Sequence, residues 1–397
     1  MEEKPLIKEE TKSTTQPNLF AKAWAKILII AAALGIIAGA ITNMGTVGNT
    51  IGNTYHYFFP PPVKLPPQGK VLYTHPAPRY GGALAWSPDG KHIAQVNTDG
   101  TIQVWDATTG QNLITYTGHK GKNVLALAWS HDSTHLASTD ADGTIQIWLA
   151  ASGFTVYIRS IASFLEQTNR QVSNSPVNAM VWSPNDGQIA FGDSNGDVVM
   201  ATVGDNLRYF DVLERYPGPV LSLIWSSDGK QLVIGGPGDY TSLSNIWDTT
   251  ALEVWNWDVS SFPAHHTRTS IYQLGQGHGL NLVDLTLSPN GNYVAAMVLY
   301  ASATAPSIWD ITAKGSSPQP IGRQAISLAW ACDNNSIALG GDNDVTIWDY
   351  STQKVVFQFP DVVSVRSVAW SPDGTMLASW SIDGRIIIWQ ASNKKLC

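Results

Sequence analysis

The chain has 397 residues, 44% of them hydrophobic and only 14% charged, which is ample for a sizeable core. The formal net charge is −7, and it is uneven: residues 1–45 hold five lysines and four glutamates, while the rest holds 19 basic and 27 acidic residues. A surface of that sign repels phosphate backbones and argues against nucleic acid as a partner, and two cysteines, Cys332 and Cys397, make neither a disulfide framework nor a four-cysteine metal site.

In chain order, residues 1–22 read as a polar cytoplasmic tail. Residues 23–47 read as a signal-anchor helix: from Ile27 to Val47 the chain has no charge and no proline. At about 1.5 Å per residue such a helix is roughly 32 Å long, enough to cross a bilayer core. A cleaved leader is the competing reading, because Ala38-Gly39-Ala40 offers small residues to a peptidase. Lys4, Lys8, Lys12, Lys22 and Lys26 all precede the span, and the next basic residue is Lys64. Positive residues stay inside, so the expected location is the cell membrane, single-pass, with the large domain outside the cytoplasm. Residues 48–69 form a linker in which Pro60-Pro61-Pro62 and Pro66-Pro67 favour a semi-rigid spacer.

From residue 70 the sequence repeats. Ala83-Leu84-Ala85-Trp86-Ser87-Pro88-Asp89-Gly90 returns as Ser367-Val368-Ala369-Trp370-Ser371-Pro372-Asp373-Gly374. Looser copies place Trp129, Trp182, Trp225, Leu287 and Trp330 at the same point, with spacings of 43, 53, 43, 62, 43 and 40 residues. A second anchor follows each first one: Trp105, Trp148, Met200, Trp257, Trp309, Trp348 and Trp389. Asp99-Gly100, Asp142-Gly143, Asn195-Gly196 and Asp383-Gly384 often precede it, and such pairs supply the positive φ of tight hairpins. Runs such as Val124–Trp129 are apolar with little alternation, as in strands covered on both faces. Four strands per period of roughly 40–45 residues is the propeller signature. The fold expected is all-β, a seven-bladed propeller over residues 70–394. The last unit leaves too little chain for a fourth strand, and the orphan segment 70–75 is expected to supply it, closing the ring.

The units resemble WD40 repeats: Trp-Asp ends at 105–106, 257–258, 309–310 and 348–349, and a Gly118-His119 pair. The resemblance implies a buried hydrogen-bonded network within a blade. In the second unit its members would be His119, Ser138 or Thr139, Asp142 and Trp148. It also implies that the second-to-third and fourth-to-first connections emerge on one face.

Chemistry-bearing motifs are weak. Gly192-Asp193-Ser194-Asn195-Gly196 matches an esterase pattern, but it falls at a hairpin turn rather than a strand-to-helix elbow. Asp140–Gly143 lacks the bidentate glutamate of a calcium loop. His265-His266 with His278 lacks metal-site spacing, and the glycines at 275, 277 and 279 lack a strand-then-helix context. No cofactor or metal is expected. Extra length marks the binding surface: an insertion in the fourth unit with Tyr240, Trp247 and Asp248, a smaller one around Tyr300 in the fifth, and added residues after the second with Phe164 and Arg170. The expected function is a non-enzymatic protein- or peptide-binding scaffold on a membrane anchor. The rival readings are a small-ligand sensor and a propeller hydrolase or TolB-like periplasmic factor.

Overall fold

The recurrent Ser-Pro-Asp-Gly segment explains why the units fold alike. Ser87 Oγ donates to Asp89 Oδ1 at 2.6 Å and accepts from the His92 amide at 2.9 Å. Asp89 also accepts the Lys91 amide, and Gly90 takes the positive φ of +73° that closes the turn. Ser130 with Asp132, Ser226 with Asp228, Ser288 with Asn290 and Ser371 with Asp373 repeat the arrangement. In each of these five blades the turn joins strands that pair antiparallel.

The structure is a computed structural model. It describes residues 68–79, 83–166, 174–204, 207, 210–212, 216, 218–237, 249–258, 265–276, 281–300, 303–313, 316–359 and 362–397. The anchor segment 23–47 therefore lies outside the described residues, as do the tail and nearly all of the linker. Among the described residues no helix is long and apolar enough to cross a membrane.

Seven four-stranded antiparallel sheets are present. We name their strands a to d in sheet order. In blade 2 these are Val124–Trp129, His135–Asp140, Thr144–Leu149 and Thr155–Ser160. The a strands of successive blades adjoin one another in a closed circuit, so they are innermost. The core is divided between the blades rather than central. Val104 and Ile102 of blade 1 pack with Leu127, Leu136 and Trp148 of blade 2, and Val345 and Phe359 of blade 6 pack with Val368 and Trp389 of blade 7. Both faces of most strands are covered, which accounts for the weak alternation in the sequence.

The tryptophan of strand a has a second task. The indole of Trp129 donates to the Ala85 carbonyl of the preceding blade at 3.2 Å. Trp182 does the same to Ala128, Trp370 to Ala329, and Trp86 to Ala369 across the closing joint. At these four joints the repeated Ala-Trp pair supplies one acceptor and one donor.

Closure is made by the first described strand. Val71–Pro76 pairs antiparallel with Arg385–Gln390 and forms strand d of blade 7. His75 stacks on Trp105 of blade 1 with ring centroids 4.2 Å apart, and the Tyr73 hydroxyl donates to the Ala107 carbonyl at 2.7 Å. The same outer-strand-on-tryptophan contact recurs as Tyr116 on Trp148 and Phe359 on Trp389.

Three findings correct the expectations. Phe164 is not a loop residue open to a partner: it sits on a short helix, Ile161–Leu165, 2% exposed, with its ring 6.0 Å from Phe191. Burying that ring between blades 2 and 3 is worth more than leaving it in water. The two cysteines, which sequence separation set apart, form a disulfide with Cα atoms 6.0 Å apart. Blades 4 and 5 absorb much of their extra length in longer strands, Thr249–Asp258, His265–Gln276, Tyr293–Tyr300 and Ala303–Asp310.

The joint between blades 5 and 6 carries a half-buried carboxylate. Asp284, on strand a of blade 5, accepts from its neighbour's amide at Leu285, and from Ser327 Oγ at 3.0 Å and the Leu328 amide at 2.9 Å in blade 6. Ser327 Oγ in turn accepts the Val368 amide of blade 7. Burial pushes Asp284 up to about 6, against the pull of those donors. Between its ordinary 3.8 and about 6 the folded state holds a proton the unfolded chain has released. The stability from that proton is therefore full below 3.8 and gone above about 6. Unfolding of wild type and Asp284→Asn, compared at pH 4.5 and 7.5, will show the wild type losing on the order of 2 kcal/mol relative to the variant over that interval.

Candidate functional site

The b–c turns and the d–a loops lie at one end of the antiparallel strands, and the blade-internal networks fasten these two kinds of loop together. Blade 2 shows how. His119 lies in the loop entering the blade, fully buried. Its Nδ1 is 2.9 Å from Asp140 Oδ2, and its Nε2 is 2.9 Å from Ser138 Oγ. The carboxylate places the imidazole proton on Nδ1, leaving Nε2 to accept from the Ser138 hydroxyl. Ser138 Oγ accepts the Trp148 indole at 3.1 Å. Asp140 Oδ1 meanwhile accepts the amides of Asp142 and Thr144, which shapes the b–c turn. Burial lowers the His119 pKa below its ordinary value although Asp140 pulls it upward.

The network's acid is therefore Asp140, not Asp142. Asp140 ends strand b inside the sheet, whereas Asp142 sits in the turn, exposed, in an ion pair with Lys122. Registers correct two further positions. Strand c of blade 4 places Trp255, not Trp257, opposite Leu232, where Trp148 stands opposite Leu136 in blade 2. In blade 3 the matching residue is Ala201 opposite Ile189, not Met200. Trp105, Trp309, Trp348 and Trp389 hold the same position in their blades.

Other blades fasten their loops with different chemistry. In blade 4 Tyr216 enters from the d–a loop and donates to Glu253 Oε2 at 2.6 Å, and the Trp255 indole reaches both the Tyr216 hydroxyl and Glu253. Arg268 adds a contact to Glu253 at 3.3 Å. Burial, followed by the Glu253 charge, raises Tyr216 far above a free phenol, so it remains a donor. In blade 3 Ser175 donates to the buried Asp193, which also accepts the Asn195 and Asp197 amides. The Gly192–Gly196 esterase-like pattern is thus a hairpin turn, with Ser194 bonded to Asn178 rather than to a base.

The turn glycines are required by the loops above them. A Cβ on Gly100, whose φ is +78°, would stand 2.3 Å from the His119 carbonyl and 2.4 Å from that of Lys122. Only glycine supplies both the positive φ and the room. The face is consequently held in place by buried bonds while its outer atoms remain open. It carries ion pairs of Lys122 with Asp142, Arg323 with Asp344, and Arg385 with Asp383. Among the described residues no group of three or more His, Cys, Asp or Glu side chains could hold a metal ion.

Of the residues expected to bind a partner, Tyr240, Trp247, Asp248 and Arg170 lie outside the described residues. The segment 238–248 is joined to the b–c end of blade 4, since Pro237 pairs with Thr250. Tyr300 closes strand b of blade 5 and pairs with Ala303 across a two-residue connection at the same end.

Seven four-stranded sheets in a ring, six of them with a tryptophan ending the innermost strand and Leu287 in its place in blade 5, define a β-propeller. The family model for the WD domain, G-beta repeat, matches residues 69–106, 110–148 and 354–390, so WD40 repeats are present at these three stretches of a seven-bladed propeller. It is 23% identical over 192 residues to the B-type cell cycle switch protein ccs52B of Medicago truncatula, covering 46% of this chain and 34% of that protein. It is 31% identical over 231 residues to apoptotic protease-activating factor 1 of Homo sapiens, covering 57% of this chain and 16% of that one. The chain spans less than half the length of these curated relatives. Among solved structures, the Cps50 (Swd1) β-propeller domain of Myceliophteria thermophila superposes with a TM-score of 0.60 at 16% identity, covering 81% of this chain and 99% of that one.

Proposed function

We infer that this propeller is a non-enzymatic scaffold that binds a protein or peptide through its b–c and d–a face, presented outside the cytoplasm from the span at Ile27–Val47. The observation that carries the reading is the uneven extra length. Blades 4 and 5 have elongated strands toward that face, with residues 238–248 joined between two of them, on a framework whose loops are pinned by buried bonds. Tyr240, Trp247 and Asp248 supply the aromatic and charged anchors, with Tyr300 beside them in the ring order. The relatives support it in kind: they include an anaphase-promoting complex subunit, cdh1, of Dictyostelium discoideum, a name that places a related chain within an assembly. The span accounts for the lysine asymmetry at the N-terminal side.

Proximity labelling from the intact membrane-bound protein, followed by binding measurements, tests this. The Tyr240→Ala, Trp247→Ala double variant is expected to weaken the recovered partner tenfold or more. Lys230→Ala, on the a–b turn of the opposite face, is expected to leave binding unchanged. Equal binding by both variants, or recovery of only ribosomes and DNA-associated proteins, rejects the reading.

A further inference from the structure

The a–b turns form the opposite rim of the ring, and neighbouring turns are tied to each other. The Asp89 amide donates to Ser133 Oγ, and the His131 and Asp132 amides donate to Asp186. Ser227 Oγ donates to the Pro289 carbonyl, and the Asn290 amide to Asn334 Oδ1. These ties join blades 1 to 2, 2 to 3, 4 to 5 and 5 to 6. Between blades 6 and 7 the tie is of another kind. Residues 391–397 leave strand c of blade 7 and run back along that blade's own turn: the Ala391 and Ser392 amides donate to the Thr375 carbonyl, and the Leu396 amide to Asp373. Leu396 covers Gly374 and joins the core between the two blades. This path delivers Cys397, exposed, to Cys332, half-buried in the turn of blade 6.

We propose that Cys332–Cys397 is a redox-set latch, a disulfide installed after blade 7 has formed, which fixes the last blade to its neighbour and holds the strand on which ring closure depends. Strand c of blade 7 is the partner of the closing strand, and the Gln390 amide donates to the Lys70 carbonyl. Pinning residues 391–397 therefore keeps that strand from fraying where closure begins. The oxidant is an oxidised dithiol carrier or glutathione disulfide. Cys397 is the better first nucleophile, being exposed where Cys332 is half-buried. Its thiolate attacks one sulfur of the carrier, forming a mixed disulfide and expelling the carrier's first thiolate. The Cys332 thiolate then attacks the Cys397 sulfur and expels the second. Two electrons pass to the carrier, and the two protons shed by the cysteines end on its thiols. Such a bond persists in an oxidising compartment, the side of the membrane on which the proposed orientation places the propeller. It needs no partner, so the latch and the binding face stand or fall separately.

The test uses the full chain in detergent with a glutathione redox buffer as the probe. Under oxidised glutathione, mass spectrometry is expected to find one peptide pair joined through Cys332 and Cys397. Reductant is expected to lower the melting temperature by about 5 °C. Cys332→Ser and Cys397→Ser should melt at the reduced wild-type temperature and ignore reductant. Absence of the joined peptides, or an equal response to reductant in wild type and variants, overturns the latch. In membranes lysed with a thiol-alkylating reagent, both cysteines are expected to be protected until reduced. Labelling of both before reduction overturns it in the cell, whatever the binding face does.

Discussion

A chain beginning at Gln68 is expected to unfold in one cooperative transition, whereas a chain beginning at Pro78 will be recovered as aggregate or will melt at least about 10 °C lower. The ten residues that separate the two chains include the closing strand, Val71–Pro76. Without it, strand c of blade 7 presents its backbone amides and carbonyls to solvent as a free edge, which templates pairing with another chain. The loss goes beyond backbone bonds. Trp105 loses the stacked His75, Ala107 loses the Tyr73 hydroxyl, and the apolar cluster holding Ile386, Ile388 and Ala378 loses Leu72 and Tyr73 from its cover. Because the strand bridges blades 7 and 1, its removal also weakens the link of Trp86 to Ala369 across that joint. Circular dichroism melts and size-exclusion profiles of the two chains decide the matter, and adding a peptide of residues 68–77 to the shorter chain should restore part of the difference. Equal melting temperatures would mean that the ring does not need this strand.

Much of the architecture was written in the sequence because it repeats. The spacing of Trp86, Trp129, Trp182, Trp225, Leu287, Trp330 and Trp370 counts the seven blades, and a last unit short of one strand points to a donor elsewhere in the chain. Both signals are one-dimensional, and both survive without knowledge of register. What did not survive is whatever register decides. Trp255 and Trp257 are two residues apart on one strand, and the insertion before them erases the count from Trp225. Only the pairing with Leu232 selects Trp255. Asp142 drew attention because Asp-Gly is a strong turn signal, yet the buried acid is the strand-end Asp140, matched in blade 3 by Asp193. The offset of that position from the inner tryptophan is the same in both blades, and following it would have found both. Tyr216 with Glu253 carried no such signal, since no histidine marks the position. The two cysteines could not be paired from sequence because their meeting depends on the path of residues 391–397 back across blade 7.

Replacing His119 with alanine is expected to cost about 3 kcal/mol at pH 7.5, and the penalty should shrink as the solution is acidified. The side chain is fully buried between Asp140 and Ser138, so its loss leaves a carboxylate oxygen and a hydroxyl without their partner in a dry setting. The Trp148 indole then donates to a hydroxyl that is no longer held. The pH dependence follows from the folded imidazole being harder to protonate than a free one, because burial outweighs the pull of Asp140. The unfolded chain takes up a proton near the ordinary value of 6.5 that the folded chain refuses. Stability from the neutral, bonded imidazole is therefore present above 6.5 and is lost as pH falls toward the lowered folded value. His75, stacked on Trp105 and also lowered by burial, adds a slope of the same sign, and Asp284 opposes both. Only the difference between wild type and His119→Ala isolates the one residue. Urea unfolding at pH 7.5, 6.5 and 5.5 should show the two curves converging, and a constant gap would show that His119 contributes packing without titrating. The same variant bears on binding. His119 ties the loop entering blade 2 to the turn that presents Asp142, so its loss should blur both loops and lower partner affinity even where the fold persists.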